Sequence, residues 1–232
     1  TIGMSRVTNT PIVGLSTRSW LGSLARSGAL LDVRSWNLIE RALEHCRGVT
    51  PAGMVYDLSV MMGASTDLAL HAGSLSELFY AACSLTDDLQ DGDVEKYLGE
   101  IEPALWINTQ SHLLCLVGIR ASQFSVALGE PNNIAADLFR TGCSMLTGQH
   151  LEIVRDPWNA EVYMTVAEFS AGEQFGFYFQ LAANAAFQEV MSWKEFGKAY
   201  GTLLQVVADY ESKDPRLLQL PQKEVEEVWA SE

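Results

Sequence analysis

The sequence predicts an all-α fold, a single bundle of about eight helices, on two observations. First, apolar residues recur at helical spacing along most of the 232 residues, most clearly over residues 66–91. Second, no segment alternates apolar and polar residues as a half-buried strand does, and no repeat of 20–50 residues is present. Helices with one apolar face must bury it against one another, which favours a bundle.

Local signals place the elements in order. Residues 1–35, rich in Ser, Thr and Gly, are predicted to form an irregular N-terminal arm, and residues 36–232 the helical domain. Ser35 is a suitable N-cap for the first helix, and Gly92 ends the central one. Pro and Gly residues mark several of the joins. The predicted helices cover residues 35–47, 52–63, 66–91, 102–128, 133–154, 161–190 and 193–213.

Charge and hydropathy exclude several classes of partner. The formal net charge is −14, which argues against a nucleic acid or an anionic membrane surface, because both require a basic face. No run reaches the eighteen apolar residues of a membrane span, and no signal-peptide pattern is present. We therefore expect no nucleic-acid partner and no stable membrane insertion.

The four cysteines predict the compartment. Cys46, Cys83, Cys115 and Cys143 are scattered, without a CxxC motif or a histidine at metal-ligand spacing. They are expected to be buried free thiols in a reducing environment. The predicted localisation is cytoplasmic.

The stretch SLTDDLQDGD at the end of the central helix carries a candidate metal site. Asp87 and Asp91 are four residues apart and Asp88 and Asp91 three apart, so all three carboxylates can converge near one helix face. Like charges at this spacing destabilise a helix unless water or a cation neutralises them. Carboxylate oxygens without His or Cys suit Mg²⁺ better than zinc. The alternative is a solvated helix end.

A calcium-binding EF-hand loop starting at Asp87 is excluded. Gly92 would fall at its sixth position, as required, but Leu89 and Leu98 occupy the third and twelfth positions, where oxygen ligands belong.

Four blocks in order resemble the trans-isoprenyl diphosphate synthase family, over roughly residues 40–215. The resemblance begins with a helix that ends in a DDxxD motif. A GQxxDL-like block follows, then a Tyr-containing helix, then a counterpart of GxxFQxxDDxxD. In this chain the blocks read ELFYAACSLTDDLQD (77–91), GQHLEI (148–153), YMTVAEFSAGEQF (163–175) and YGTLLQVVADYES (200–212).

The resemblance implies a helical bundle of the isoprenoid synthase type around a central apolar pocket, and a homodimer. Two acidic motifs would hold Mg²⁺, three ions with substrate bound, and these would grip an allylic prenyl diphosphate. Asp87, Asp88 and Asp91 would be catalytic metal ligands. The small Ala82 and Cys83 would leave room for a long prenyl chain. The residues expected to line the pocket are Phe79, Tyr80, Ala82, Cys83, Gln149 and Phe175.

This chain departs from the family mainly at positions where the family has Lys or Arg residues that bind a second diphosphate. The block CRGVTP keeps Arg47 but has Thr50 where the family has Arg, and EKYLG keeps Lys96 but has Tyr97 in place of a second Arg. Each charge-assisted contact is worth about 1.5–3 kcal/mol, so losing several weakens a second diphosphate by orders of magnitude. We therefore expect one allylic diphosphate to be ionised and a second to bind poorly.

The second acidic motif is degenerate. Ala208 replaces its first aspartate and Ser212 its third, and Asp209 is retained. Asp209, with Ser212 or Glu211, is predicted to supply an opposing metal ligand. Candidate diphosphate-binding residues are Arg47, Lys96, Lys213 and Gln205.

The leading prediction is a Mg²⁺-dependent class I terpene synthase that ionises and cyclises farnesyl or geranylgeranyl diphosphate. One alternative is a prenyltransferase, which elongates a chain or prenylates an acceptor without phosphate. The other is a non-catalytic subunit of a prenyl synthase.

Overall fold

A computed structural model describes residues 10–26, 33–46, 50–92, 102–129, 133–154, 158–214, 217 and 220. Within these ranges the chain is helical and contains no strand, which confirms the predicted all-α class. The described residues form eight helices, which are α1 (Thr10–Arg26), α2 (Val33–Cys46), α3 (Ala52–Met61), α4 (Thr66–Asp91), α5 (Pro103–Ala127), α6 (Ile134–Val154), α7 (160–185) and α8 (Val190–Ser212).

Helix α1 shows that the expectation of an irregular arm over residues 1–35 is wrong for its central part. Val13, Thr17 and Leu21 are fully buried at helical spacing. The Thr17 hydroxyl is hydrogen-bonded to the buried carboxylate of Glu77 and to Ser74, both on α4. Small polar residues that pack against another helix give little hydropathy contrast, so the amphipathic pattern was weak in the sequence.

Helix α4 has the bounds that the sequence predicted, because strong local signals define both ends. The Ser65 hydroxyl accepts a hydrogen bond from the Leu68 amide at the N-terminus. Gly92 ends the helix in the left-handed region at φ 75°. The middle of α4 is buried on nearly all sides, so this helix carries the acidic motif on a rigid element.

Helix α7 differs from the single predicted helix over 161–190. Two α-helical parts, Ala160–Ala167 and Glu173–Ala185, are joined by a π-helical turn, Glu168–Gly172. The helix ends five residues early at a turn where Phe187 has φ 54°. Neither a π turn nor a left-handed phenylalanine has a distinctive sequence signal.

Four glycines let α7 and α8 approach closely. Gly172 and Gly176 lie on α7, and Gly197 and Gly201 on α8, each pair four residues apart. A Cβ atom at Gly201 would lie only 2.3 Å from the carbonyl oxygen of Ala171. Backbone therefore packs against backbone here, and a larger residue would force the helices apart.

The chain divides into two compact units. One contains residues 6–135 and 185–187, and the other contains residues 1–5, 136–184 and 188–232. The first unit is built on α4, against which α1, α2, α3 and α5 pack; the second has α8 packed against α7. Among the described helices, none is both long enough and apolar enough to cross a membrane.

Candidate active site at the end of helix α4

The three aspartates of α4 occupy different environments. Asp87 and Asp91 are exposed at the end of the helix. The Asp88 side chain is only 13% exposed, and its Oδ2 lies 3.5 Å from Nε2 of His45, in the last turn of α2. Two carboxylates therefore face outward, and the third is held against a neighbouring helix. His45 was not predicted as a site residue, and nothing in its sequence context indicated this contact.

A half-buried stripe leads along α4 to these carboxylates. Tyr80, Cys83, Asp87 and Asp91 follow at spacings of three, four and four residues, which places them on one face. Burial raises the pKa of Tyr80 to about 12, and nearby thiol and carboxylate groups, including Asp87, add to the shift. Tyr80 is thus a neutral, largely desolvated phenol next to the acidic end.

Two more residues of α4, Phe79 and Ala82, were predicted to line a pocket, and both side chains are buried where α4 packs against other helices. Phe79 is 2% exposed and Ala82 is fully buried. In α6, Gln149 is half-buried, and Phe175 of α7 is half-buried with edge-to-face contacts to the rings of Tyr178 and Tyr200. Whether these six residues line a pocket stays a prediction.

The thiol of Cys46 lies in the same region. Burial raises its pKa to about 11, although a hydrogen bond with Ser84 acts in the opposite direction and lowers the pKa. The charges of Asp88 and Glu77 raise it further. All four cysteines are free, as predicted, but Cys115 and Cys143 are exposed, so the expectation that all are buried is wrong.

The end of α4 fits a magnesium ion in its donor chemistry. In the described ranges, no three His, Cys, Asp or Glu side chains come together as a preformed metal cluster. Mg²⁺ does not need one, because it usually keeps several waters and binds through one or two carboxylates together with substrate phosphates. The exposed carboxylates of Asp87 and Asp91 could bind such an ion, with Asp88 beside them.

The retained aspartate of the second motif is engaged in the protein interior. Asp209 is 4% exposed. Its Oδ2 accepts a hydrogen bond of 2.9 Å from the Tyr163 hydroxyl, and its Oδ1 accepts one of 2.8 Å from Nε2 of Gln205. Both carboxylate oxygens therefore have partners, and the ring of Tyr163 packs in an apolar cluster with Val206 and Leu217.

In the described part of the chain, no group of three His, Cys, Asp or Glu side chains forms around Asp209. Gln205, predicted to contact diphosphate, donates a hydrogen bond to Asp209. The Ser212 hydroxyl donates to the Asp209 carbonyl oxygen, Glu211 is exposed, and Lys213 ends α8 in the left-handed region at φ 55°. These contacts give Asp209 a structural role, and the metal assignment of Asp209, Ser212 and Glu211 stays a prediction.

Two of the predicted cations, Arg47 and Lys96, lie outside the described residues. A cation that the sequence did not suggest lies at the π-helical turn, where Nζ of Lys198 is 2.9 Å from Oε1 of Glu173 and 3.3 Å from Oε1 of Glu168. Burial alone would lower the pKa of Lys198, but the two carboxylates outweigh it and raise the pKa. Lys198 therefore stabilises the π turn as a paired charge.

Neither a family model nor a curated protein matches the chain. Solved structures do resemble it. A geranyltranstransferase from Thermotoga maritima is 16% identical with a TM-score of 0.68, covering 88% of this chain and 78% of that one. An isoprenoid synthase family member from Thermotoga neapolitana is 14% identical with a TM-score of 0.71, covering 87% and 80%. An FPP/GFPP synthase from Zymomonas mobilis is 15% identical with a TM-score of 0.65, covering 97% and 90%.

At this identity the likeness concerns the fold, and it extends over most of both chains. It confirms the fold expected from the four sequence blocks. The chain therefore has the fold of the isoprenoid synthases, and its α4 ends in the DDxxD sequence.

Proposed function

We propose that this protein ionises an allylic prenyl diphosphate, farnesyl or geranylgeranyl diphosphate, with Mg²⁺ bound by Asp87, Asp88 and Asp91. The observation that carries the proposal is the pair of exposed carboxylates, Asp87 and Asp91, at the end of a buried helix in an isoprenoid synthase fold. The similar structures support the substrate class, since they include a geranyltranstransferase and an FPP/GFPP synthase.

The chemistry begins with cleavage of the bond between the allylic carbon and the diphosphate oxygen. The electron pair leaves with the diphosphate, and the carbon becomes an allylic carbocation. Bound Mg²⁺ would supply positive charge to the leaving group. The chain contributes rigid placement of Asp87 and Asp91 on α4, contact of Asp88 with His45, and the desolvated phenol of Tyr80 near the same end.

Cyclisation is our leading choice for the fate of the cation. The sequence lacks several of the cations that would bind isopentenyl diphosphate, with Thr50 and Tyr97 at two of those positions. The similar structures favour prenyl transfer at least as strongly as the sequence favours cyclisation, because the geranyltranstransferase and the FPP/GFPP synthase are both prenyltransferases. Transfer to an acceptor, with or without phosphate, is therefore the alternative.

One assay separates cyclisation from chain elongation. The protein with Mg²⁺ is incubated with geranyl, farnesyl or geranylgeranyl diphosphate, each with and without isopentenyl diphosphate, and hydrocarbons and alcohols are analysed by gas chromatography and mass spectrometry. Cyclic hydrocarbons without isopentenyl diphosphate are expected. Longer linear products that require isopentenyl diphosphate would establish elongation and overturn cyclisation.

The internal hydrogen bonds of Asp209 favour a second candidate, a non-catalytic subunit of a prenyl synthase. In such a subunit the second acidic motif has a structural role, which the two side-chain hydrogen bonds to Asp209 support. The absence of any product in the assay, from folded protein, would favour this candidate. Added activity on mixing with a prenyl synthase would then establish it.

The α4 motif itself can be tested by Asp88→Asn. We expect loss of turnover by at least about a hundredfold, because a ligand of the leaving-group metal is removed. The control is Asp67→Asn, an exposed aspartate in the first turn of the same helix, which should keep full activity. Circular dichroism should show unchanged helicity in both variants, and Mg²⁺-dependent thermal stabilisation should be lost only in the first. Full activity of Asp88→Asn would refute the assigned role.

We also propose that the protein is a cytoplasmic homodimer. Helix α6 supports a self-contact, because Phe139, Leu146 and Ile153 are each more than half exposed and recur every seven residues on one face. Its four free cysteines support a reducing compartment.

A further inference from the structure

A buried arginine lies in the first compact unit, away from the acidic motif. Arg120 of α5 is 5% exposed, although arginine is almost never this buried without a partner. Its guanidinium carbon lies 5.2 Å from the centre of the Trp20 ring on α1. The Trp20 ring is itself held in place, because its Nε1 donates a hydrogen bond of 2.7 Å to Gln123.

No carboxylate offsets this buried charge among the described residues. Nε of Arg120 is enclosed and makes no hydrogen bond there. Burial lowers the pKa of Arg120 to about 10, and no acid among the described residues opposes that shift. The cation–π contact with Trp20 compensates only part of the cost of removing a guanidinium from water. A buried cation of this kind favours binding of an anion.

A second buried polar atom lies close by. His71 of α4 stacks on Phe124, with ring centroids 6.2 Å apart, and its Nδ1 is enclosed without a hydrogen-bond partner in the described part of the chain. Burial lowers the pKa of His71, and the charge of Arg120 lowers it further, while exposed Asp67 acts in the opposite direction. His71 is therefore a neutral imidazole within electrostatic reach of the guanidinium.

The chemistry of these groups specifies the ligand. A guanidinium presents a planar set of N–H donors that matches a carboxylate or phosphate group, and a neutral imidazole can exchange a further hydrogen bond with its oxygen. Water could satisfy the hydrogen bonds but not the charge, and a metal cation would be repelled. The aromatic walls of Trp20 and Phe124 keep the local dielectric low, which strengthens an ionic contact.

We propose that Arg120, with His71 and Trp20, forms a binding site for a small oxyanion, a carboxylate or phosphate group. The site is separate from the proposed active site. Along α4, His71 and Asp88 are seventeen residues apart, about 25 Å at the helical rise. The proposal does not depend on the catalytic function, so either can fail alone.

The test is anion-dependent stabilisation of the full chain in a phosphate-free buffer with EDTA, which silences any metal site. Sodium phosphate, sodium acetate and sodium chloride are titrated at constant ionic strength, and thermal unfolding is followed by intrinsic fluorescence. The midpoint should rise saturably with phosphate, acetate or both, but not with chloride. The two arms identify which oxyanion class binds. No rise with either would overturn the proposal.

Arg120→Met distinguishes a binding site from a structural arginine. The variant should lose the anion response, with affinity weakened at least about tenfold by calorimetry. Without anion its midpoint should equal or exceed that of the wild type, because an uncompensated buried charge has been removed. Arg140→Met is the control, since Arg140 is exposed and paired with Asp137, and it should respond like the wild type.

Two results with these variants would contradict the proposal. One is an equal anion response in the wild type and Arg120→Met. The second comes from Arg120→Lys, which keeps the charge but not the planar donor set. This variant is compared with the wild type if Arg120→Met fails to fold. Lysine should weaken binding at least about tenfold. Unchanged affinity in Arg120→Lys would show that the guanidinium does not bind the anion.

Discussion

At the scale of single residues, Asp209 is a buried carboxylate whose two oxygens both accept hydrogen bonds from side chains. Tyr163 and Gln205 each donate a hydrogen bond to it, so its charge is stabilised from within the protein. A buried ionised carboxylate is tolerated only with such partners. The neighbouring positions 208 and 212 carry Ala and Ser, so Asp209 is the carboxylate at the centre of this network.

Tyr163→Phe tests this structural role. Removing the hydroxyl leaves one Asp209 oxygen buried without its donor, so the free energy of unfolding should fall by about 1–3 kcal/mol. Urea denaturation followed by circular dichroism measures the change. The control is Tyr56→Phe in α3, whose hydroxyl makes no hydrogen bond with described residues, and it should change stability by less than about 0.5 kcal/mol. Equal stability of both variants would refute the structural role.

The reactivity of the cysteines provides a pH-dependent prediction. The pKa of Cys46 is raised to about 11, so almost no thiolate is present at pH 8, and its burial also blocks reagents. Exposed Cys115 and Cys143 should therefore be alkylated by iodoacetamide much faster than Cys46, as measured by peptide mass spectrometry. The rate at Cys46 should rise as the pH approaches 11 while the protein stays folded. Rapid labelling of Cys46 at pH 8 would contradict its buried, neutral state.

At the scale of helices, the α7–α8 contact depends on residues without side chains. Gly201 lies against the Ala171 carbonyl oxygen, and a Cβ would also come within 2.7 Å of Cβ of Phe175. These neighbouring atoms are backbone and a Cβ, which cannot rotate away. The close contact thus places the π turn of α7 directly against α8.

Gly201→Ala should accordingly destabilise the protein. Overpacking against backbone should lower the free energy of unfolding by about 1–3 kcal/mol or more, measured by urea denaturation. Gly142→Ala in α6 is the matched control, because a Cβ there meets nothing within 4 Å. Its higher helix propensity should instead raise stability by up to about 1 kcal/mol. A stabilising Gly201→Ala would show that the two helices do not pack this closely.

At the scale of the whole molecule, the proposed homodimer can be tested through the exposed face of α6. Leu146 lies between Phe139 and Ile153 on that face and is exposed. Leu146→Arg should shift the protein from dimer to monomer in analytical ultracentrifugation, because it places a charge in an apolar contact. Val126→Arg, an equally apolar but isolated exposed site at the end of α5, should remain dimeric. A monomeric wild type would exclude the dimer.

The sequence by itself determined the elements that depend on local physics. Helix α4 could be located because its apolar spacing, Ser65 cap and Gly92 terminus all act within one helix. The sequence motif of Asp87, Asp88 and Asp91 was visible for the same reason. The fold type followed because four blocks preserve their order, and the solved structures confirm it.

Only the tertiary structure decided which side chains meet across helices. Helix α1 is held by Thr17 against Glu77, sixty residues away, so a local pattern could not reveal it. The pairing of His45 with Asp88, the internal partners of Asp209 and the burial of Arg120 also arise from packing of distant segments. A side chain's charge is encoded locally, but its solvation and its partners depend on the assembled fold.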